Sequence, residues 1–332
     1  MSKSVSQDKL DISEVSFGAG AISGNYDTFS QTDVVEACKE ALSLGINLFD
    51  TSPYYGKSEF ILGDALHEIK DEFPREHYYI STKVGRYGYT TKECDYSAKR
   101  TYESVAESMR RLHTDYLDIV YCHDVEFVPF EHVIGPNYAL EALFDLKAQG
   151  KIKYVGCSAY PLDILLKVAE HQHAKGQPLD IVLSYSHYTL QNTSFADYAP
   201  KFRAAGVRYL INASPLCMAL LRDDKTPDWH PAHSGIREAA DKAAAIARQN
   251  GLSISDLASR FSFQGRDQFQ LDSTLIGLAR KSEVQDAVRV WKDSKRDNTP
   301  VEDKVLEQIH ALFKPHKNYS WQSPSNKELG LA

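Results

Sequence analysis

The 332 residues predict an α/β protein, a single closed (β/α)8 barrel of the TIM type spanning 1–332 as one domain. Two observations carry this. Short apolar runs alternate with helix-period segments eight times, and alternating strands and helices imply βαβ units around a parallel sheet. Eight such units in about 300 residues, with no Pro- or Ser-rich joint between them, suit one barrel. The alternative, a doubly wound open sheet with a smaller second domain, would need such a joint.

The elements follow in order. A strand at 15–17 opens the series. Val34, Val35, Cys38, Ala41 and Leu42 share one helical face, with Thr32 as N-cap, Asp33 and Glu36 in the first turn and Gly45 as the stop. An apolar run at 46–50 precedes the breaker Pro53, and Phe60, Ile61, Leu62, Ala65 and Leu66 mark the next helix. Strands at 78–84 and 116–121 flank a helix at 101–112. The pattern continues with a helix ending at 149–150, a strand at 153–156, a helix at 164–171 and a strand at 180–183. A helix at 195–205 leads to a strand at 207–213. Two helices at 236–250 and 255–263 precede the eighth strand at 273–276. Helices starting near 282 and spanning 301–313 close the series, and the tail from 314 to 332 reads as loosely organised.

Composition narrows the function classes. Lys+Arg 38 against Asp+Glu 45 gives a net charge of −7, without the basic stripe a duplex-binding protein needs, so no nucleic-acid partner is expected. No run approaches the ~18 apolar residues of a membrane span, and the first ten residues lack the apolar core of a signal peptide. Five scattered Cys without a C-x-x-C pair suit reduced thiols and no structural metal. The expectation is a cytoplasmic enzyme, a monomer or weak homo-oligomer.

In a barrel, chemistry gathers where strands end. Asp50 ends the second strand and is followed closely by Tyr54 and Tyr55. Lys83 sits near the end of the third, and His123 and Asp124 end the fourth. A phenol has a reference pKa of about 10, too high for easy proton exchange at neutral pH. A neighbouring ammonium lowers it, and a carboxylate keeps that ammonium charged. Tyr55 is therefore the expected proton carrier, Lys83 its tuner, Asp50 the partner of Lys83, and His123 the group that orients substrate. Each residue alone has a bland reading, as turn former, packing or solvated surface. Their coincidence at successive strand ends does not.

The stretch GINLFDTSPYYG at 45–56 resembles the signature of the aldo-keto reductases, and Lys83 and His123 fall where that family's tetrad places them. The resemblance runs from FGAG at 17–20 to the eighth strand. Within the family, DTSPYY at 50–55, YCHDVEFV at 121–128 and NASPL at 212–216 are similar to the fungal D-arabinose 1-dehydrogenases and plant L-galactose dehydrogenases. These oxidise the anomeric carbon of an aldose to the aldonolactone.

That resemblance implies a nicotinamide cofactor across the barrel mouth. Gly20 belongs to its site, Ser158 would bond the carboxamide, Asp50 the nicotinamide ribose, and Ser214 and Leu216 the pyrophosphate. The adenosine end would lie along 277–287, including Gly277, Glu283 and Asp286. Ala159 stands where members often have Asn, and Ala213 where many have a nicotinamide-stacking Tyr, a role open to Tyr185 or Tyr188. Glu283 stands where NADP binders carry an Arg. A carboxylate there repels a 2′-phosphate and accepts a ribose hydroxyl, which favours NAD. NADP remains the alternative through Arg280 and Lys281, and Glu283 also reads as a first-turn acid.

The loops after strands four and seven offer Asp124, Glu126, Phe127, Trp229, His230 and His233, and the tail offers Trp321, a mixture suited to the aldose substrate. An NADPH-dependent aldehyde or ketone reductase keeps the same tetrad, as does a nicotinamide-binding channel subunit of the same family.

Overall fold

The computed structural model describes residues 9–23 and 29–331. Eight strands close into a barrel in chain order, all paired in parallel, with Gly18 opposite Gly277 at the closure. In sequence the described elements are β1 (Val15–Gly18), α1 (Gln31–Ser43), β2 (Leu48–Asp50), α2 (Ser58–Glu68), β3 (Tyr79–Val84), α3 (Ala98–Arg111), β4 (Leu117–Cys122), α4 (Glu131–Ile134) and α5 (Ala139–Ala148). They continue with β5 (Ile152–Ala159), α6 (Leu162–Ala174), β6 (Ile181–Tyr185), α7 (Ser194–Ala204), β7 (Tyr209–Ala213), α8 (Ser234–Gln249), α9 (Ile254–Phe269), β8 (Ser273–Gly277), α10 (Lys281–Asp293) and α11 (Pro300–Phe313).

The strand period of two sorts side chains between two cores. Ile119 and Tyr121 of β4, Ile181 and Leu183 of β6, and Ile211 of β7 fill the barrel interior. Their neighbours Val120, Cys122, Val182 and Leu210 face outward, into the layer that packs against the helices. This alternation places the functional layer. Counting by twos from Leu48, Tyr121 and Tyr154, Asp50, His123 and Ser158 all face inward at the upper rim, as Lys83 does from β3. Gly156 gives Tyr121 its room, because a Cβ there would lie 2.6 Å from Tyr121 and from the Ile181 carbonyl oxygen.

Three expectations are corrected. Ser30, not Thr32, caps α1: Ser30 Oγ accepts the Asp33 N–H at 3.2 Å, and Asp33 Oδ2 accepts the Ser30 N–H at 2.7 Å. This reciprocal box satisfies two orphan donors at once. β5 runs through Ala159 rather than stopping at 156, which carries Ser158 on the strand itself. The tail is ordered rather than loose. Trp321 stacks on Tyr160 with centroids 4.6 Å apart, Ser323 Oγ donates to Glu126 at 2.8 Å, and Glu328 pairs with Arg86 at 2.8 Å. The tail thus crosses from the end of β5 to the loop after β3.

Candidate active site

Asp50 and Lys83 form an ion pair of 2.6 Å, both side chains almost wholly buried. Parallel pairing of β2 with β3 sets Asp50 opposite Ser81, whose hydroxyl donates to Asp50 Oδ1 at 2.7 Å. Lys83 Nζ donates to Asp50 Oδ2 and to the Thr51 carbonyl at 2.9 Å. A buried ammonium persists only with such partners. Nζ also lies 4.9 Å from the centroid of the Tyr55 ring, and His123 meets that ring edge-on at 5.9 Å. The four predicted residues therefore converge. Gly20 lies over Tyr55, since a Cβ at Gly20 would be 3.6 Å from Tyr55 Cε2.

His123 is anchored at Nδ1. Ser52 Oγ accepts the Tyr54 N–H at 3.1 Å and lies 3.1 Å from His123 Nδ1. With Ser52 Oγ as the donor to Nδ1, the imidazole N–H sits on Nε2. Burial, with Lys83 and Arg86 nearby, pushes His123 down to about 3 despite Asp124. It is a neutral donor at physiological pH.

The backbone at His123 and Asp124 is fixed from below. Tyr96 Oη donates to the carbonyls of both, at 3.0 Å to that of Asp124. Gly85 makes room for Tyr96: its φ is +102°, and a Cβ there would come within 2.3 Å of the Tyr96 ring. Asp124 itself is left-handed, with φ 45° and ψ 59°.

Arg86 is the residue the sequence reading missed. It is buried between the rings of Tyr54 and Phe127, its guanidinium carbon 4.0 and 3.9 Å from their centroids, and it donates to Asp124 Oδ2 at 2.6 Å. It follows β3 three positions after Lys83, so the same strand-end rule pointed to it. Phe127 serves as its platform.

The far wall is aromatic. Tyr160 meets Tyr185, His187 and Trp321 at 5.6, 4.7 and 4.6 Å, and His230 meets Trp321 edge-on at 5.3 Å. Tyr185 thus stands at the end of β6 where an aromatic face was sought. Tyr188 does not, because its ring stacks on Phe261 of α9 at 5.3 Å. Trp229 is about half exposed, and His233 packs on Tyr319 and His316. Glu126 accepts from Tyr160 N and Ser323 Oγ. Burial and the neighbouring Asp124 push its carboxyl well above the usual carboxylate range.

The proposed cofactor residues divide. Ser158 is buried and its Oγ meets no partner among the described residues, a hydroxyl at the rim that suits a carboxamide. Gly277 is exposed at the end of β8, and a Cβ there would meet Ala21 at 3.4 Å. Ser214 is left-handed, with φ 62°, and its Oγ accepts the Met218 N–H at 2.9 Å. Leu216 packs against the cluster around Leu220 and Leu221. Cys217, Met218 and Ala219 follow with φ of 52°, 56° and 67°, a concentration of strain typical of functional loops.

Glu283 has a helix-capping role. Its Oε2 accepts from the Ala279 and Arg280 N–H groups at 2.7 and 3.1 Å, as the first-turn reading expects. Arg280 lies 3.6 Å from Glu283, and Lys281 lies 3.4 Å from Glu40, so both candidate phosphate cations face carboxylates. Asp286 lies on the exposed side of α10, held by Arg289 at 3.2 Å.

Comparison with known proteins bears on these features. A match to the Aldo/keto reductase family spans residues 14–304. The chain is similar to the L-galactose dehydrogenase of Arabidopsis thaliana, 34% identical over 316 residues, covering 95% of this chain and 94% of that one. It is 36% identical over 325 residues to the D-arabinose 1-dehydrogenase of Saccharomyces cerevisiae, covering 95% of each. In fold it is similar to an aldo-keto reductase of Bacillus halodurans in its holo form, with a TM-score of 0.67 at 22% identity, covering 95% of each chain.

Proposed function

The chain belongs to the aldo/keto reductase family, and on that premise we propose that it oxidises the anomeric carbon of an aldose to the aldonolactone with NAD. The observation that carries the reading is the convergence of Tyr55, Lys83, Asp50 and His123 beside an aromatic wall. Similarity to two aldose dehydrogenases over 95% of the chain supports the substrate class.

The Ser158 hydroxyl, the exposed end of β8 and Gly20 over Tyr55 fit a nicotinamide cofactor, with Ser158 at the carboxamide and the turn from Ser214 to Leu216 at the pyrophosphate. When bound, that cofactor supplies a hydride acceptor. The chain's own residues handle the proton and the geometry. Tyr55, as phenolate beside the Lys83 ammonium, takes the proton from the anomeric hydroxyl. Asp50 keeps Lys83 charged in a buried setting. His123 donates a hydrogen bond from Nε2 to the same anomeric oxygen, keeping its own proton and fixing the direction of that oxygen, and Tyr160, Tyr185 and Trp321 cover the sugar's C–H surface.

NAD is the expected cofactor because Glu283 stands at the start of α10 and the adjacent Arg280 and Lys281 face acidic side chains. Offering D-arabinose, L-galactose, L-fucose and D-glucose with either cofactor tests both parts. Reduced nicotinamide should form with NAD, with kcat/KM at least on the order of tenfold above NADP. Preference for NADP overturns the Glu283 argument. Turnover only of aldehydes or ketones with NADPH favours the reductase reading instead.

A further inference from the structure

The geometry points to Asp124 as the residue that selects the substrate class, its carboxylate accepting the hydroxyl on the carbon next to the reacting one, so that the site takes 2-hydroxy aldoses. This rests on the reading of the site as an aldose dehydrogenase and deepens it. Asp124 Oδ2 lies 3.5 Å from His123 Nε2, the atom that meets the anomeric oxygen. Oxygens on adjacent carbons are about 3 Å apart, near hydrogen-bond spacing. A group next to His123 Nε2 therefore meets the substrate one oxygen further on.

The anomeric carbon has two neighbours that carry or are oxygen: the ring oxygen, which only accepts, and the C2 hydroxyl, which donates. A carboxylate accepts, and so distinguishes the hydroxyl. The carboxylate is built for the purpose. Arg86 binds Oδ2 at 2.6 Å, while Oδ1 meets no hydrogen-bond partner among the described residues and the side chain is 21% exposed at the mouth. Burial raises the carboxyl, but the guanidinium of Arg86 and the ammonium of Lys83 help to hold the group below the usual carboxylate range. The left-handed backbone at Asp124 is a strained conformation that Tyr96 holds in place from the carbonyl side.

The test compares each aldose with its own 2-deoxy analogue: D-arabinose with 2-deoxy-D-ribose, and L-galactose with 2-deoxy-L-galactose. The wild type should favour the parent sugar by about 100-fold in kcat/KM, as expected when a carboxylate oxygen that bonds the parent's hydroxyl finds no donor on the analogue. Asp124→Asn should lose about 30-fold or more on the parent and no more than about 3-fold on the analogue, collapsing the preference. Binding of reduced nicotinamide, followed by fluorescence, should not change. Equal kcat/KM for parent and analogue in the wild type overturns the inference without any variant. So does an Asp124→Asn variant that loses equally on both sugars, or on neither. A wild type that oxidises neither parent sugar removes the aldose reading itself and this inference with it. A wild type that oxidises them without discrimination removes the inference alone.

Discussion

Replacing Tyr55 by Phe abolishes turnover and spares cofactor binding. The phenol oxygen is the atom that takes the anomeric proton, and general acid–base groups contribute about 10²–10⁴-fold. Phe keeps the ring that lies against Gly20 and edge-on to His123, so the fold is retained. The kcat of Tyr55→Phe with NAD and aldose, set beside a fluorescence titration of reduced nicotinamide, measures both halves. Full activity in this variant contradicts the assignment.

Replacing Lys83 by Met costs both activity and stability. It removes the ammonium beside Tyr55 and leaves Asp50 buried with only Ser81 on its other oxygen. Breaking a buried ion pair from one side costs about 3–5 kcal/mol, roughly 10 °C in melting temperature for a chain of this size. Turnover should fall by about 100-fold or more. A double variant, Lys83→Met with Asp50→Leu, should recover much of the stability and none of the activity, since an apolar pair of similar volume replaces the ion pair well. Thermal melts and steady-state kinetics on the three proteins separate the effects. Recovered activity in the double variant would show that Lys83 is structural only.

The barrel was legible because its signals are local. The strand period of two and the helix period of 3.6 recur in every unit, and strand ends are findable from them. Asp50, Lys83 and His123 were found by that rule, and counting by twos from the interior residues of each strand places them on one rim. What escaped lies in long-range contacts. The tail has no period, and is held by Trp321 on Tyr160 and Glu328 on Arg86, partners 161 and 242 residues away in sequence. Tyr188 was a candidate for the mouth because it follows β6, but Phe261 draws its ring into the helix layer. Thr32 has the right residue type for an N-cap, yet Ser30 and Asp33 form the reciprocal box that wins. Glu283 illustrates a different limit: a carboxylate three residues into a helix caps that helix whatever else it does.

The central claim is that the anomeric hydrogen leaves as hydride while Tyr55 takes the hydroxyl proton. Turnover of an aldose deuterated at carbon 1 with NAD tests it directly. The label should appear on the nicotinamide ring of the reduced cofactor, and the sugar product should be the unlabelled aldonolactone. Reduced cofactor without deuterium, or a product that retains the label, would contradict the account.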